Sequence, residues 1–184
     1  MMECGDTVCR LQIHHTKGSG DMAVKKRFPY RAALVACNGG CRAVKGEKGC
    51  TDGCIGCGDC VQACKFGAIF LNEYGVAEVD EEKCIACGKC AKVCPQEIIH
   101  IHECANYIVV KCSNKSKGAA AKKQCEASCI GCGICEKTCT ASAIHVEDNC
   151  AVIDEASCLS CGMCAVKCPR HAIYDLRGIF TKVR

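Results

Sequence analysis

Four times the chain reads Cys-x2-Cys-x2-Cys-x3-Cys, starting at Cys54, Cys84, Cys129 and Cys158. Whatever fold forms must gather these thiols into a few tight knots. Little else in the composition competes with that demand. The 184 residues contain 25 cysteines, no tryptophan, four phenylalanines and four tyrosines. Aromatics and large aliphatics supply most of the buried area of an ordinary core. Modules this small and this poor in large side chains usually need disulfides or metal to fold. The cysteines, and what they hold, are expected to form the core.

Cysteine this dense in a short chain raises the possibility of a secreted disulfide scaffold. The segment 1–21 argues against it. It carries Glu3, Asp6, Arg10, His14, His15 and Lys17, with no apolar run of signal-peptide length. An odd number of cysteines also cannot pair completely within one molecule. No stretch approaches the ~18 apolar residues of a membrane-spanning helix. A cytoplasmic, reducing setting with thiolates acting as ligands is expected. The formal charge of +4 counts every cysteine as neutral. Sixteen ligand thiolates contribute −16 and four oxidised cluster cores of about +2 each return about +8, so the loaded chain sits near −4. A nucleic-acid partner is therefore not expected.

The spacing itself names the metal chemistry. Three thiolates two residues apart can wrap one Fe4S4 cube, with intervening backbone N–H groups free to bond its sulfurs. The fourth cysteine, on a short helix, points away from that cube, and in two-cluster ferredoxins it ligates the partner cluster. One cluster then takes Cys54, Cys57, Cys60 and Cys94, and a second takes Cys84, Cys87, Cys90 and Cys64. A third takes Cys129, Cys132, Cys135 and Cys168, and a fourth takes Cys158, Cys161, Cys164 and Cys139. Four [4Fe–4S] clusters are expected. Structural zinc joins two cysteine pairs across a longer loop and has no use for a third cysteine two residues on.

The motifs belong to an internal repeat. Cys37, Cys50, Cys54, Cys57, Cys60 and Cys64 recur at one constant offset as Cys112, Cys125, Cys129, Cys132, Cys135 and Cys139. Cys84, Cys87, Cys90 and Cys94 recur as Cys158, Cys161, Cys164 and Cys168, at an offset shorter by a single residue. A tail over 1–31, a module over 32–106 and a second over 107–184 follow. The fold class is α+β: two tandem dicluster modules of short strands and short helices around four clusters. Ala68–Leu71 and Val76–Val79 flank turn residues 72–75 and predict a hairpin, as do Ile144–Val146 and Ala151–Ile153 around 147–149. Lys89–Val93 and Met163–Lys167 are one- or two-turn helices stopped by a cysteine and then Pro95 or Pro169.

Around the motifs, Ala68-Ile69, Ile98-Ile99, Ala143-Ile144 and Ala172-Ile173 follow each fourth cysteine, as strand packing or as shields that keep water from the clusters. Cys37 with Cys50, and Cys112 with Cys125, read first as buried thiol pairs, with a redox pair or ligands to an extra centre as the functional alternatives. Cys4, Cys9, Cys41, Cys104 and Cys150 receive no role. His100 and His102 alternate on a strand and read as a polar face. Lys111, Lys115, Lys117, Lys122 and Lys123 read as a solvated loop, with docking of an acidic redox partner as the sharper alternative.

The motifs resemble bacterial-type two-cluster ferredoxins across both modules. "RAALVACNGGC" leading into "GCIGCGDCVQACKFGAI", with a second dicluster module behind it, resembles the B subunits of the Rnf complexes from about Lys26 onward. That resemblance implies a relay of single electrons through four clusters, as the ferredoxin-facing subunit of a membrane-bound ferredoxin:NAD oxidoreductase that pumps ions. The implied partners are ferredoxin and other oxidoreductase subunits, with peripheral placement at the cytoplasmic face of the membrane through those subunits. The family's members begin with a membrane-anchoring helix and another small cysteine-rich domain, whose pattern Cys4 and Cys9 do not reproduce. No dinucleotide fingerprint, phosphate loop or catalytic triad occurs, so neither a catalytic site nor a small-molecule substrate is expected within this chain. A free-standing polyferredoxin is the alternative, and a redox-sensing regulator a more remote one.

Overall fold

The computed structural model describes residues 30–40 and 49–181. Arg31–Val35 forms β1, Asp59–Ala63 α1, Ile69–Leu71 β2, Ala77–Val79 β3, Lys89–Val93 α2 and Ile99–Glu103 β4. The same plan then repeats with one addition. Ile108–Val110 forms β5, Gly118–Gln124 α3, Ile134–Thr138 α4, Ile144–Glu147 β6, Cys150–Ile153 β7, Met163–Lys167 α5 and Ile173–Asp175 β8. The fold is α+β.

Each half contains two antiparallel strand pairs, one local and one closing the ends. β2 pairs with β3 and β6 with β7, at the two expected hairpins. In the first, the Asn72 side-chain oxygen accepts the backbone N–H groups of Tyr74 and Val76, both at 3.1 Å, so the turn is built by its own asparagine. In the second, Asp148 and Asn149 both take positive φ, 45° and 65°, and Glu147 faces Cys150 across the pair. That is the two-residue turn whose twist suits adjoining strands. The end-closing pairs are β1 with β4, Ala32 facing His102, and β5 with β8, Val109 facing Tyr174. Neither has a local turn signal, so the sequence does not predict them.

The helices α1, α2, α4 and α5 are five residues each. Each starts after a left-handed glycine (Gly58, Gly88, Gly133 and Gly162) and stops at the fourth cysteine, which is extended. Helices this short are not stable alone. α1 packs on α2 and α4 on α5, which sets the two motifs of each half face to face. Apolar side chains fill in around them. Ala68, Ile69, Ile98 and Ile99 lie in one core, and Ile144, Ala172 and Ile173 in the other.

The second part of the lysine-rich stretch differs from expectation. Gly118–Gln124 is the helix α3, because three successive alanines favour helix and Ala121 is fully buried beneath it. The Ser128 hydroxyl donates to the Ala121 carbonyl at 2.9 Å and so holds the helix end down. Residues 111–117 are irregular, as expected, but Lys111 is anchored: its amide donates to the Ala172 carbonyl, and its ammonium sits 5.3 Å over the Tyr174 ring. The halves meet through polar contacts. Asn38 donates to the Ala127 carbonyl at 2.9 Å, the Lys115 amide to the Asp52 carboxylate at 3.0 Å, and Asn106 to the Glu155 carbonyl at 2.7 Å.

Two glycines of one motif separate strain from contact. Gly133 has φ 70° and open space where a Cβ would stand, whereas at Gly131, φ 63°, a Cβ would lie 3.0 Å from the Asn149 carbonyl oxygen. Gly133→Ala is expected to cost about 1–2 kcal/mol of backbone strain. Gly131→Ala adds a clash with the turn backbone and should lower the thermal midpoint of the loaded protein further, followed by visible absorbance. Equal midpoints would contradict the close approach.

Candidate metal centres

The spacing of each motif becomes geometry through its helix. The third cysteine sits in the first turn and the fourth at the far end, about 6 Å further along the axis. One helix therefore serves two places. Four cavities result. The first is lined by Cys54, Cys57, Cys60 and Cys94, and the second by Cys84, Cys87, Cys90 and Cys64. The third is lined by Cys158, Cys161, Cys164 and Cys139, and the fourth by Cys129, Cys132, Cys135 and Cys168. Each gathers three thiols of one motif with the fourth of its neighbour, the crossed grouping expected from the spacing.

The rest of each wall is almost wholly apolar. Ile98 and Ile99 line the first cavity, Ala68 and Ile69 the second, Ala143 and Ile144 the third, and Ile173 the fourth. The small apolar pairs are therefore buried against the thiols. Backbone amides supply the polar complement. The Ala68, Ala143 and Ala172 N–H groups donate to the sulfurs of Cys64, Cys139 and Cys168 at 3.3–3.4 Å. The Ala86 and Ser160 amides donate to Cys84 and Cys158, both at 3.4 Å. Four soft donors, a dry wall and amide donors to sulfur fit a [4Fe–4S] cluster.

Exposure follows position in the motif. Cys57, Cys87, Cys132 and Cys161, the second of each, are the exposed cysteines among the described residues. The third is buried or half-buried, and burial is the largest cause pushing the thiols of Cys60, Cys135 and Cys164 up to about 11. Cys90 is shifted the same way for the same reason. Neighbouring thiols add to the rise, among them Cys94 on Cys60 and Cys168 on Cys135, each from the opposite motif.

Several cysteines outside the motifs differ from expectation. Cys112 has a further thiol neighbour that the repeat does not announce. It neighbours Cys150, whose thiol donates to the Cys112 carbonyl at 3.2 Å, and its sulfur accepts the Cys129 amide at 3.2 Å. Cys150 also hydrogen-bonds the sulfurs of Cys112 and Cys129. Those bonds are the chief cause lowering Cys112 to about 7 and Cys129 to about 6, and they push the Cys150 thiol up. Cys125 is buried, its sulfur close to Gly40 of the first half. In the first half, Cys37 and Cys50 flank Gly53. Cys4, Cys9 and Cys41 lie outside the described residues. Arg170, to which the motif spacing gives no role, lines the fourth cavity and donates to the Cys125 carbonyl at 3.0 Å. A signal for it does exist: the first module has Gln96 at the equivalent place, two residues past its fourth cysteine, and Gln96 lines the first cavity.

The family model of the 4Fe–4S dicluster domain matches residues 53–98, and that of the 4Fe–4S binding domain residues 151–174. The motif beginning at Cys129 lies between these segments and has the same geometry. The chain is 40% identical over 153 residues to the B subunit of the Na+-translocating ferredoxin:NAD+ oxidoreductase complex of Acetobacterium woodii, an alignment covering 83% of this chain and 45% of the relative. It is 41% identical over 144 residues to the B subunit of the proton-translocating ferredoxin:NAD+ oxidoreductase complex of Clostridium ljungdahlii, covering 68% of this chain and 51% of the relative. This chain is similar to those B subunits over most of its own length. A third, from the ion-translocating oxidoreductase complex of Methanosarcina acetivorans, is 41% identical over 96 residues, covering 52% of this chain and 34% of that one. The chain spans about half the length of the first two relatives. It is an iron–sulfur protein with ferredoxin-type 4Fe–4S domains. Among the described residues no helix is long and apolar enough to cross a membrane.

A cysteine ligates iron as the thiolate, and burial pushes the thiols of Cys60, Cys135 and Cys164 up to about 11 in the metal-free fold. Cluster uptake must therefore release protons and strengthen as pH rises. Anaerobic reconstitution with ferrous iron and sulfide should reach a higher iron content at about pH 8.5 than at about pH 6.5. Uptake independent of pH would mean that these thiols are not deprotonated on binding.

Proposed function

We propose that this chain is an electron relay of an Rnf-type ferredoxin:NAD+ oxidoreductase, with its sixteen motif cysteines as ligands to four [4Fe–4S] clusters in the crossed sets. The observation that carries this is the set of four apolar cavities, each lined by three thiols of one motif and one of its neighbour. The clusters supply one-electron storage at potentials that the protein tunes. Everything else asked of the chain is placement. The third cysteines anchor each site inside the fold, the apolar pairs exclude water, and the amides at the sulfurs favour the reduced state. The exposed second cysteines offer the short path for an electron to or from a docked partner.

The units of the relay are the modules 32–106 and 107–184, joined by the polar contacts around Asp52, Asn106 and Glu155. The partners are ferredoxin and other subunits of the complex, which hold this chain at the cytoplasmic face of the membrane. Hydride chemistry on NAD belongs to a different subunit. The two modules are not equivalent electrically. The cluster held by Cys129 has the Cys150 thiol bonded to a ligand sulfur and Arg170 in its wall, the guanidinium held by the Cys125 carbonyl. The corresponding cluster of the first module has Val76 and Gln96 at those positions. Both differences stabilise added negative charge, so the second module holds the higher-potential end and electrons run toward it.

Two measurements test this. Cys94→Ser removes a ligand that comes from the second motif but belongs to the cluster of the first. It should lower iron by about four atoms per chain from roughly sixteen. It should also remove the magnetic coupling within the first module, seen by low-temperature EPR. An unchanged iron content would break the crossed assignment. In a redox titration, Arg170→Gln should lower the potential of the most easily reduced cluster, on the order of tens of millivolts. A shift confined to the lowest-potential cluster would reverse the proposed direction.

A further inference from the structure

One group of donors lies outside the four cavities. Glu81, His102 and Cys104 bring a carboxylate oxygen, an imidazole nitrogen and a thiol sulfur within 4.8 Å of one another. Each comes from a fixed place. Glu81 is in the turn between β3 and Cys84, where the Asp80 side chain accepts the Glu82 amide at 2.9 Å. His102 is on β4 opposite Ala32, and the Cys104 amide donates to the Tyr30 carbonyl at 3.0 Å as the chain leaves that strand.

His102 does not behave as the polar face that strand alternation suggests. His100 is exposed, but His102 is 2% exposed, and neither of its ring nitrogens has a hydrogen-bond partner. Glu81 Oε1 stands 3.8 Å from Nε2, beyond bonding distance. A buried imidazole without partners costs on the order of 1–3 kcal/mol, so it calls for an explanation. The repeat sharpens the point. At the three equivalent positions the second module has Glu155, Leu176 and Gly178. The module fold therefore needs neither the histidine nor the thiol.

We propose that Glu81, His102 and Cys104 bind one zinc ion, separate from the iron–sulfur clusters. The donor set suits zinc, which takes sulfur, nitrogen and oxygen ligands together. Zinc bonds of about 2.0–2.3 Å set tetrahedral ligand atoms roughly 3.3–3.7 Å apart, so a small contraction of the present cluster closes the site. The charges balance: on binding, Cys104 gives up its proton to solvent, Glu81 is already a carboxylate, and the two negative donors neutralise the dication. His102 ligates as the neutral ring. Three protein donors leave the fourth position to water. The cleft between the modules reaches His102 and gives the ion a way in.

The test uses the full chain, purified without air with its clusters loaded, given one equivalent of Zn2+ and then desalted. Metal analysis should find about one zinc per chain with iron undiminished, and zinc-edge X-ray absorption should find one sulfur among otherwise nitrogen and oxygen ligands. His102→Leu copies the residue of the second module and keeps the strand packed. It and Cys104→Ser should each lower retained zinc roughly tenfold or more with iron and sulfide unchanged. A zinc shell of four sulfurs accompanied by lost iron would put the ion in the cluster cysteines and overturn the proposal. So would the absence of retained zinc in the fully loaded protein, or equal retention in both variants. None of these outcomes depends on electron transfer.

Discussion

The crossed fourth cysteine is the constraint on which everything else in this protein rests. A helix of five residues has no stability of its own, and a strand pair of three residues has little more. Once one end of such a helix holds a thiol for one cavity and the other end a thiol for the next, two motifs far apart in sequence must meet. Cys60 and Cys94, or Cys135 and Cys168, share a cavity although a hairpin and a second motif's helix lie between them in the chain. The strand pairs β1–β4 and β5–β8 then need only close a loop whose ends the metal site has already brought near. This explains how a chain with so few large side chains forms two cores at all: iron and sulfide take the volume that aromatic rings would fill elsewhere.

What is legible in the sequence is what the metal dictates locally. The crossed grouping, the α+β character, the hairpins at Asn72 and Asp148, and the helices over Lys89–Val93 and Met163–Lys167 all follow from spacings within or beside a motif. The end-closing strands are not legible, because Arg31 and Glu103 pair across the whole length of a module and no turn chemistry announces it. The helix α3 hides behind its lysines, which read as a loop until Ala121 is seen to be buried. Cys150 and Arg170 escape notice because each breaks the repeat, and a repeat invites attention to what it preserves. His102 misleads for a related reason. Alternation along a strand says which residues share a face, and says nothing about whether that face is covered.

The departures from the repeat carry most of the functional content. Duplication delivers two similar modules, and a relay with identical stations gives an electron no preferred direction. Three of the substitutions that distinguish the halves involve groups described above: Val76 against Cys150, Gln96 against Arg170, Leu176 against His102. Each places a polar or charged group where the other module has a less polar one. The common scaffold provides insulation and spacing, and in the proposed relay Cys150 and Arg170 are the positions that would distinguish one module's potential from the other's.

The sharing of thiols between motifs also bears on ancestry. A single motif contributes three thiols to one cavity and one to another, so on the proposed assignment neither half of a module can be gained, lost or transplanted without leaving an incomplete site. The smallest heritable piece is the pair. The two copies in this chain conform to that rule, because the repeat runs through both motifs of a module and not through one alone. The single-residue change of offset between the copies falls between the motifs, between Cys64 and Cys84. Selection on cluster geometry thus acts as a reading frame for recombination, preserving lengths inside each motif and leaving lengths between them open to change.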